Sequence, residues 1–328
     1  MRLGLVLAAA LGASAPAAAN DTTASTGAGG LVLERTDAID MASEDLFVSA
    51  DEISIRYVFR NRTQSDVETI VAFPMPGRDL AREFEGGVTY PSGFRTRVDG
   101  RAVTASLERK ALVDGKDHSA LLQQLSVPVA PQLIDEATRA MDRLPAAQKQ
   151  RILKLGLAGE QEYDDDGKGI RRHLVPLWTV KDTWWWTQRF PAGRDLIVEH
   201  RYEPGAGSSV QSPIAIPEYR SSEDGARTIA RYCMDRQFLA AVDRLGSADG
   251  TPGSGAPDRR IDYILTTGAN WRSPIGEFRL VVDKGRPENL VSFCETGVKK
   301  ISPTQFEVRH TNWRPTRDLH VLIIEPQR

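Results

Sequence analysis

Apolar and polar residues alternate along several short segments of the chain, and this period of two predicts β-strands. The clearest alternation covers residues 53–60, and residues 67–73 follow as a second strand after a polar turn. Asp99-Gly100 predicts a hairpin between further strands at 93–98 and 102–107. Short strands at this spacing are typical of a β-sandwich rather than of a parallel sheet.

A stretch with helical spacing interrupts this pattern in the middle of the chain. Between residues 118 and 157 the apolar positions recur every three or four residues, prolines divide the stretch, and Gly156 is placed to end its last helix. We therefore expect a helical insertion at 118–157 within a β-sandwich that covers residues 31–204.

The two ends of the chain differ from this central part. Residues 20–30 are small and polar, and we predict a flexible leader there. Residues 205–260 are rich in Gly, Ser and Pro and predict a linker with one helix at 235–245, followed by a smaller β-domain at 261–328. The expected fold class is mainly β, a β-sandwich with a helical insertion plus a C-terminal β-domain, and α+β overall.

The first nineteen residues have the pattern of a signal peptide. Arg2 precedes an apolar segment at 3–11, and Ala17-Ala18-Ala19 offers the small residues that a signal peptidase recognises, so we expect cleavage before Asn20. The apolar segment is about half of the ~20 residues that span a bilayer, and no later segment approaches that length. The sequence thus predicts a periplasmic or secreted protein without a membrane span after cleavage.

Charge and cysteine content narrow the class of protein further. The 328 residues include 42 Lys and Arg against 44 Asp and Glu, so there is no basic excess of the kind that nucleic-acid binding needs. Cys233 and Cys294 are the two cysteines, and in an oxidising compartment they predict one disulfide. A reactive thiol is the alternative, and it would require an exposed thiolate in an electropositive environment.

Five short motifs resemble an exported bacterial family catalogued as domain of unknown function 4424. They are Gly29-Gly30-Leu31, Ser43-Glu44-Asp45-Leu46, Val71-Ala72-Phe73-Pro74-Met75-Pro76, Trp184-Trp185-Trp186-Thr187 and Thr267-Gly268-Ala269-Asn270-Trp271. The resemblance covers essentially the mature chain. It implies a family without an established activity.

Residues 31–204 are also distantly similar to the vault/inter-α-trypsin (VIT) β-sandwich. The similarity is carried by Asn61-Arg62-Thr63, Phe73-Pro74-Met75-Pro76, Val98-Asp99-Gly100-Arg101 and Phe190-Pro191-Ala192-Gly193. VIT domains often precede a von Willebrand A domain with a metal-binding Asp-x-Ser-x-Ser loop. That motif does not occur in this sequence, so metal-dependent adhesion is not implied.

No dense catalytic motif occurs in the sequence. The five histidines do not form His-Glu-x-x-His, and there is no Gly-x-Ser-x-Gly elbow and no phosphate-binding glycine loop. His200 lies in a predicted strand and is interpreted as a packed or surface residue. We therefore predict no catalytic residues, no metal and no cofactor.

One acidic loop partly matches a calcium-binding pattern. Glu162, Asp164, Asp166 and Gly167 occupy positions one, three, five and six of such a loop, but position twelve is His173 instead of a bidentate Glu. A solvated acidic turn is the alternative to a calcium site, and the missing Glu favours it.

The tryptophans at 184–186 are the most unusual local feature. In a strand, Trp184 and Trp186 share one face and fill the core, whereas Trp185 points to the other side. Trp185, with Trp178 nearby, is our candidate ligand-binding surface, because exposed aromatic rings stack on sugars or anchor peptides.

These observations predict a non-enzymatic binding or envelope-associated structural module, with an envelope protein, a peptide or a glycan as its partner. The alternative is an exported hydrolase near the helical insertion, in which carboxylates at 164–166 would act with His118 or His173. A deep pocket where a histidine and a carboxylate converge would favour this alternative.

Overall fold

The computed structural model describes residues 20–27, 30–83, 87–164, 167, 169–245 and 256–326. Within them the chain is mainly β-sheet with few helices, as the alternating pattern predicts. The first eleven strands are β1 (Thr22–Gly27), β2 (Gly30–Glu34), β3 (Ile39–Val48), β4 (Ile53–Asn61), β5 (Val67–Pro74), β6 (Arg78–Asp79), β7 (Gly87–Val88), β8 (Ser92–Val98), β9 (Arg101–Val103), β10 (Ser106–Val113) and β11 (Lys116–Asp117).

The remaining strands are β12 (Ala158–Asp164), β13 (Ile170–Pro176), β14 (Thr179–Phe190), β15 (Asp195–Glu203), β16 (Ala206–Ser209), β17 (Asp258–Tyr263), β18 (Ile275–Asp283), β19 (Leu290–Phe293), β20 (Lys299–Lys300), β21 (Gln305–Trp313) and β22 (Leu319–Ile324). The α-helices are α1 (Leu80–Glu83), α2 (Ser119–Gln124), α3 (Ile134–Asp142), α4 (Ala146–Lys154), α5 (Pro217–Arg220), α6 (Glu223–Arg231) and α7 (Arg236–Asp243). Short 3-10 turns occur at Pro131–Leu133, Pro213–Ala215 and Thr266–Asn270.

The strands form three larger sheets and one separate hairpin. The seven-stranded sheet has the order β11-β10-β14-β5-β1-β2, with β6 also paired to β14. The eight-stranded sheet runs β20-β21-β18-β3-β4-β15-β8-β9, and the five-stranded sheet runs β19-β22-β17-β16-β7. Among the described strands, β12 and β13 pair with each other and with no other strand.

The C-terminal strands share a sheet with the N-terminal ones. Strand β18 lies parallel to β3, with Leu280 opposite Leu46, and the main hydrophobic core includes side chains of both parts, such as Phe59 and Phe278. The expected boundary between residues 31–204 and 261–328 is therefore not visible as a break in the sheets or in this core. Alternation predicts which face of a strand is buried, but it does not identify the neighbouring strand.

The helical insertion forms where the sequence predicts it. Helices α2, α3 and α4 pack through residues such as Leu122, Met141 and Ile152 into a second hydrophobic core, which we call the insertion core. Gly156 follows α4 with a φ of 69°, and the backbone N–H of Leu157 donates to the carbonyl of Ile152. This left-handed residue ends the helix because glycine adopts a positive φ without a steric penalty.

The described residues 20–27 differ from the flexible leader that we predict at 20–30. Asn20, Asp21 and Thr22 are fully buried, and strand β1 pairs with β5 on one side and with β2 on the other. Small polar residues suggested flexibility because they bury little apolar surface. Their side chains instead fill a buried polar network, described below, which composition does not indicate.

The predicted linker at 205–260 contains more structure than one helix. The expected helix is present as α7, and the Asp235 side chain caps it by accepting from the backbone N–H of Phe238 at 2.7 Å. Helices α5 and α6 and strand β16 were not predicted. The helices form a third core with Leu322 and Ile324 of the five-stranded sheet.

Candidate functional site

Strand β14 places the three tryptophans on opposite faces of the seven-stranded sheet. Trp186 is buried in the main core, and Trp184 packs against that core with its ring stacked on Phe94 at 5.0 Å. Both side chains therefore serve the packing role that alternation predicts.

Trp185 lies on the other face of the same strand. Its cross-strand neighbours are Ser106 of β10 and Ala72 of β5, its side chain is partly exposed, and it belongs to none of the described hydrophobic clusters. Among the described residues its indole N–H has no hydrogen-bond partner, whereas Trp186 donates to Gln188 at 3.2 Å. Within the described part of the chain, the N–H of Trp185 is thus unpaired and part of its ring is accessible to a ligand.

Trp178 does not share this surface. Its side chain is fully buried in the insertion core, and its indole nitrogen donates to the carbonyl of Val129 at 3.4 Å. It has no exposed surface to offer a ligand. The sequence places it only six residues from Trp184, but the turn between β13 and β14 directs it under the helices.

Two lysines lie on the same face of the sheet as Trp185. Lys181 precedes Trp185 by four residues on β14, and Lys110 of β10 stands directly opposite Lys181. Lys110 pairs with Glu108 at 3.2 Å, whereas Lys181 has no carboxylate partner within the described part of the chain. Burial, and then repulsion by Lys110, lower the pKa of the Lys181 amine. We call Lys110, Lys181 and Trp185 the tryptophan–lysine face.

The acidic loop forms the tip of the β12–β13 hairpin. Glu162 pairs with Arg172 at 3.2 Å, and the two oxygens of Asp164 accept the backbone N–H groups of Gly167 and Gly169, each at 2.8 Å. Asp166 lies outside the described residues. These contacts engage both described carboxylates in the hairpin itself, and the described residues include no group of three or more His, Cys, Asp or Glu side chains placed to hold a metal ion.

His173 lies beside the helical insertion, but its carboxylate partner is not the acidic loop. Its Nδ1 is 2.8 Å from Asp142 of α3, whose other oxygen accepts the backbone N–H of Leu174 at 2.9 Å. The ring stacks on Tyr163 at 4.2 Å, and Nε2 is buried without a hydrogen-bond partner in the part of the chain that the structure describes. Because this nitrogen is buried, a substrate cannot reach it in this conformation. The contacts of Asp142 with His173 and Leu174 connect α3 to β13.

Neither of two cavities in the described structure brings a histidine and a carboxylate together. One, of about 20 Å³, lies beside Met75 and Asp182, and the other is an open hollow of about 460 Å³ beside Arg60 and Arg62. No histidine lines either cavity. His118 immediately precedes helix α2, and its backbone N–H donates to the carbonyl of Ala111.

A buried polar network surrounds the first described residues, and the sequence analysis did not predict it. Nε2 of His200 lies 3.0 Å from Oδ1 of Asp21, and neither side chain has exposed surface. Nδ1 of His200 is 3.0 Å from the Thr96 hydroxyl. Glu44 is 1% exposed and accepts the side-chain amide of Asn20 at 2.9 Å. The sequence contains one indication of this network: Glu44 and His200 both occupy positions on the inward, apolar face of their strands.

The predicted disulfide is present. Cys233 and Cys294 are joined with a Cα–Cα distance of 5.0 Å, and no free cysteine remains. The bond ties the end of α6 to the end of β19, and Ser292 beside it donates to the carbonyl of Tyr232 at 2.8 Å. This pairing removes the alternative of a reactive thiol. Among the described residues, no helix is long and apolar enough to cross a bilayer.

Comparisons with known proteins place the chain in a family. A solved candidate nutrient-binding protein from Legionella pneumophila is similar over 94% of this chain and 70% of its own, at 14% identity and a TM-score of 0.45. An M1 zinc metallopeptidase from Deinococcus radiodurans matches over 88% of this chain, at 8% identity and a TM-score of 0.24, and the chain spans 43% of that protein. No curated protein matches. The family model described as domain of unknown function (DUF4424) matches residues 19–322, and the chain belongs to this family.

Proposed function

We propose that the protein is an exported, non-enzymatic binding module whose tryptophan–lysine face binds a glycan that carries acidic groups. The observation that carries this proposal is Trp185, which is partly exposed with an unpartnered indole N–H while Trp184 and Trp186 pack inward. An aromatic side chain of this kind buries apolar area and donates one hydrogen bond to a ligand.

The neighbouring side chains favour a sugar over an apolar peptide. Ser106 and Thr187 stand next to Trp185 on its face of the sheet, and the two cavities described above lie away from it. A surface that offers a ring and hydroxyl groups suits the C–H groups and hydroxyls of a sugar. Apolar peptide side chains would need pockets to bury them.

The lysines indicate that the glycan is acidic and extended. An anionic group beside Lys181 would relieve its repulsion by Lys110 and would stabilise the charged amine, whose pKa burial and Lys110 lower. Lys181 and Trp185 are four residues apart on one strand, which corresponds to about 13 Å. An oligosaccharide reaches both side chains, and a monosaccharide does not.

Two features support the location. The signal-peptide pattern of residues 1–19 predicts export, and a disulfide such as that between Cys233 and Cys294 forms and persists in an oxidising compartment. Cell fractionation of the tagged full-length protein tests this part of the proposal. Recovery of the uncleaved chain from the cytoplasm would contradict it.

Calorimetric titration with tetragalacturonate, an acidic oligosaccharide, and with neutral maltotetraose tests the binding. We expect Trp185→Ala to weaken binding of tetragalacturonate by about tenfold or more, since central aromatic contacts dominate such interfaces. Lys181→Gln should remove the preference for the acidic sugar over the neutral one.

Matched surface variants separate this effect from a general change of the protein. Ile170→Ala removes an exposed apolar side chain on the β12–β13 hairpin, and Lys116→Gln removes an exposed lysine at the edge of the same sheet as Trp185. Both should bind as the wild type does. The proposal fails if the wild type binds neither sugar, or if Trp185→Ala and Ile170→Ala bind equally well.

A further inference from the structure

The main-chain nitrogen of Asn20 lies inside the protein, at the position where the sequence predicts signal-peptide cleavage. Asn20 is fully buried, its backbone N–H donates to the hydroxyl of Thr267, and that hydroxyl donates to the carbonyl of Asn20 at 2.8 Å. The Asn20 side chain accepts from Tyr57 and donates to Glu44 at 2.9 Å. Every polar group of this residue is therefore held by the core.

A specific segment of the chain receives these first residues. The indole of Trp271 donates to the carbonyl of Asp21 at 2.7 Å, and Asn270 donates to the hydroxyl of Thr22 at 3.1 Å. A Cβ atom at Gly268 would lie 2.8 Å from the side-chain nitrogen Nδ2 of Asn20, so only a glycine here leaves enough space for the Asn20 side chain. Residues 266–271 thus form a socket for residues 20–22.

Two buried carboxylate oxygens beside this socket have no hydrogen-bond partner among the described residues. They are Oδ2 of Asp21 and Oε1 of Glu44, and both side chains are at least 99% buried. The Tyr57 and Tyr263 hydroxyls, 3.1 Å apart, and His200 are further ionisable groups beside the socket. Unpaired carboxylate oxygens in the interior are costly, and a buried cation is the group that would satisfy them.

We propose that removal of residues 1–19 converts the buried nitrogen of Asn20 into an ammonium ion that pairs with Glu44 and Asp21 and completes the core. Hydrolysis of the Ala19–Asn20 peptide bond consumes one water molecule. The oxygen of the water adds to the carbonyl carbon of Ala19, which becomes a carboxylate, and the two protons of the water bind to the Asn20 nitrogen, which becomes an ammonium ion. This ion has three N–H donors where the peptide bond has one. The inference rests on the export proposed above and is independent of the glycan site.

The charges of the socket balance after this change. Burial raises the pKa of Glu44 to about 8; the hydrogen bond from the Asn20 side chain lowers this pKa and the nearby Asp21 raises it. Glu44 is therefore largely neutral as long as the Asn20 nitrogen is part of a peptide bond. A new ammonium beside it favours the ionised form, and the pair adds no net charge to the interior. Asp21 keeps its pairing with His200 through its other oxygen.

The order of events also follows from the burial. Since the Asn20 nitrogen is inside the folded protein, a peptidase reaches the bond before it only while this segment is unfolded. Cleavage during export therefore precedes the docking of residues 20–22, and the socket closes on a processed chain.

The first experiment labels the N-terminus of the exported protein. Protein recovered after export of the full-length chain should begin at Asn20, and an amine-specific reagent at neutral pH should modify its α-amine about 100-fold more slowly in the native state than in urea. A different first residue would overturn the inference, and so would native labelling as fast as that of exposed lysines. Neither result depends on whether the protein binds a glycan.

The second experiment compares one polypeptide before and after cleavage. Residues 20–328 contain every described residue, and a removable fusion domain without tryptophan, cleaved off while the chain is unfolded, can leave Asn20 as the first residue; both forms are then refolded in the same way. In the wild type, cleavage should raise the melting temperature by roughly 5 °C or more, because a buried cation gains carboxylate partners. In Glu44→Gln, cleavage should give less than half of this gain, whereas the control Glu218→Gln, an exposed residue of α5, should keep it. Equal gains in the wild type and in Glu44→Gln would overturn the proposal.

Discussion

The burial of Glu44 makes the stability of the uncleaved chain depend on pH in an unusual direction. The pKa of Glu44 is about 8 in the fold, because burial disfavours its charged form, against an ordinary value of 4.5. Between these two values the folded chain holds a proton that the unfolded chain has released. Stability is therefore fully present below pH 4.5 and falls as the pH rises towards 8.

The size of the effect follows from the same two values. A difference of about 3.5 pH units, at about 1.36 kcal/mol per unit, corresponds to about 5 kcal/mol between pH 4.5 and pH 8.5. Relaxation of the socket around an ionised Glu44 reduces this figure. Glu44→Gln removes the ionisation while it keeps an oxygen that can accept the Asn20 amide, so its stability should fall much less over the same range.

Urea unfolding of the uncleaved fusion, followed by tryptophan fluorescence at pH 5 and pH 8.5, measures this difference. The buried amide group of Gln has a destabilising effect of its own, but that effect is the same at both pH values and cancels when each protein is compared with itself. Glu218→Gln should follow the wild type. If the wild type and Glu44→Gln lose stability in parallel, to within about 1 kcal/mol, Glu44 is not a buried neutral acid and the reasoning fails.

Three further predictions concern other parts of the fold. Replacement of Cys233 and Cys294 by serine should lower the free energy of unfolding by about 4 kcal/mol, because the bond closes a loop with a sequence separation of 61, and an unchanged urea midpoint would contradict this. Asp142→Ala should lower the free energy of unfolding by about 1 to 3 kcal/mol in the same assay, because His173 and the backbone N–H of Leu174 both lose their partner. A loss below about 0.5 kcal/mol would refute the stabilising role of Asp142. Burial acts to raise the pKa of Asp262, but hydrogen bonds from His320 and Arg231 outweigh it and lower this pKa to about 2. The stability from this carboxylate is present above pH 3.8 and is lost as the pH falls towards 2, so Asp262→Asn should lose less stability than the wild type in an acid titration.

Period-two alternation predicted the strands well because it reports burial directly. Strands β4, β5 and β8 lie within one residue of their predicted bounds, and the helical insertion and the disulfide are also present. The pairing of β18 with β3 could not be predicted, since a parallel contact between strands more than 200 residues apart leaves no local signal. The same limit applies to Asp142 and His173, which meet only because α3 packs against β13.

Composition was misleading for residues 20–27 because it describes a segment without its surroundings. Asn, Asp and Thr side chains bury little apolar surface, and an isolated segment of this kind has no reason to fold. In the protein they meet Glu44, Tyr57, His200 and the socket at 266–271, each of which offers a polar partner in the interior. A carboxylate and a histidine on the apolar faces of two strands were the local evidence that such partners exist.

The proposed docking of residues 20–22 and the proposed glycan site both involve strands of the seven-stranded sheet. Strand β1 completes the seven-stranded sheet beside β5, and β5 in turn pairs with β14, which presents Trp185 outwards and Trp186 inwards. The docking of residues 20–22 and the position of the tryptophan–lysine face are therefore two strand pairings apart. If the ammonium of Asn20 secures β1, cleavage should slow hydrogen exchange in β1 and β5 more than in β13, which belongs to the separate β12–β13 hairpin. Equal protection of β5 and β13 after cleavage would show that the socket and the sheet are not coupled in this way.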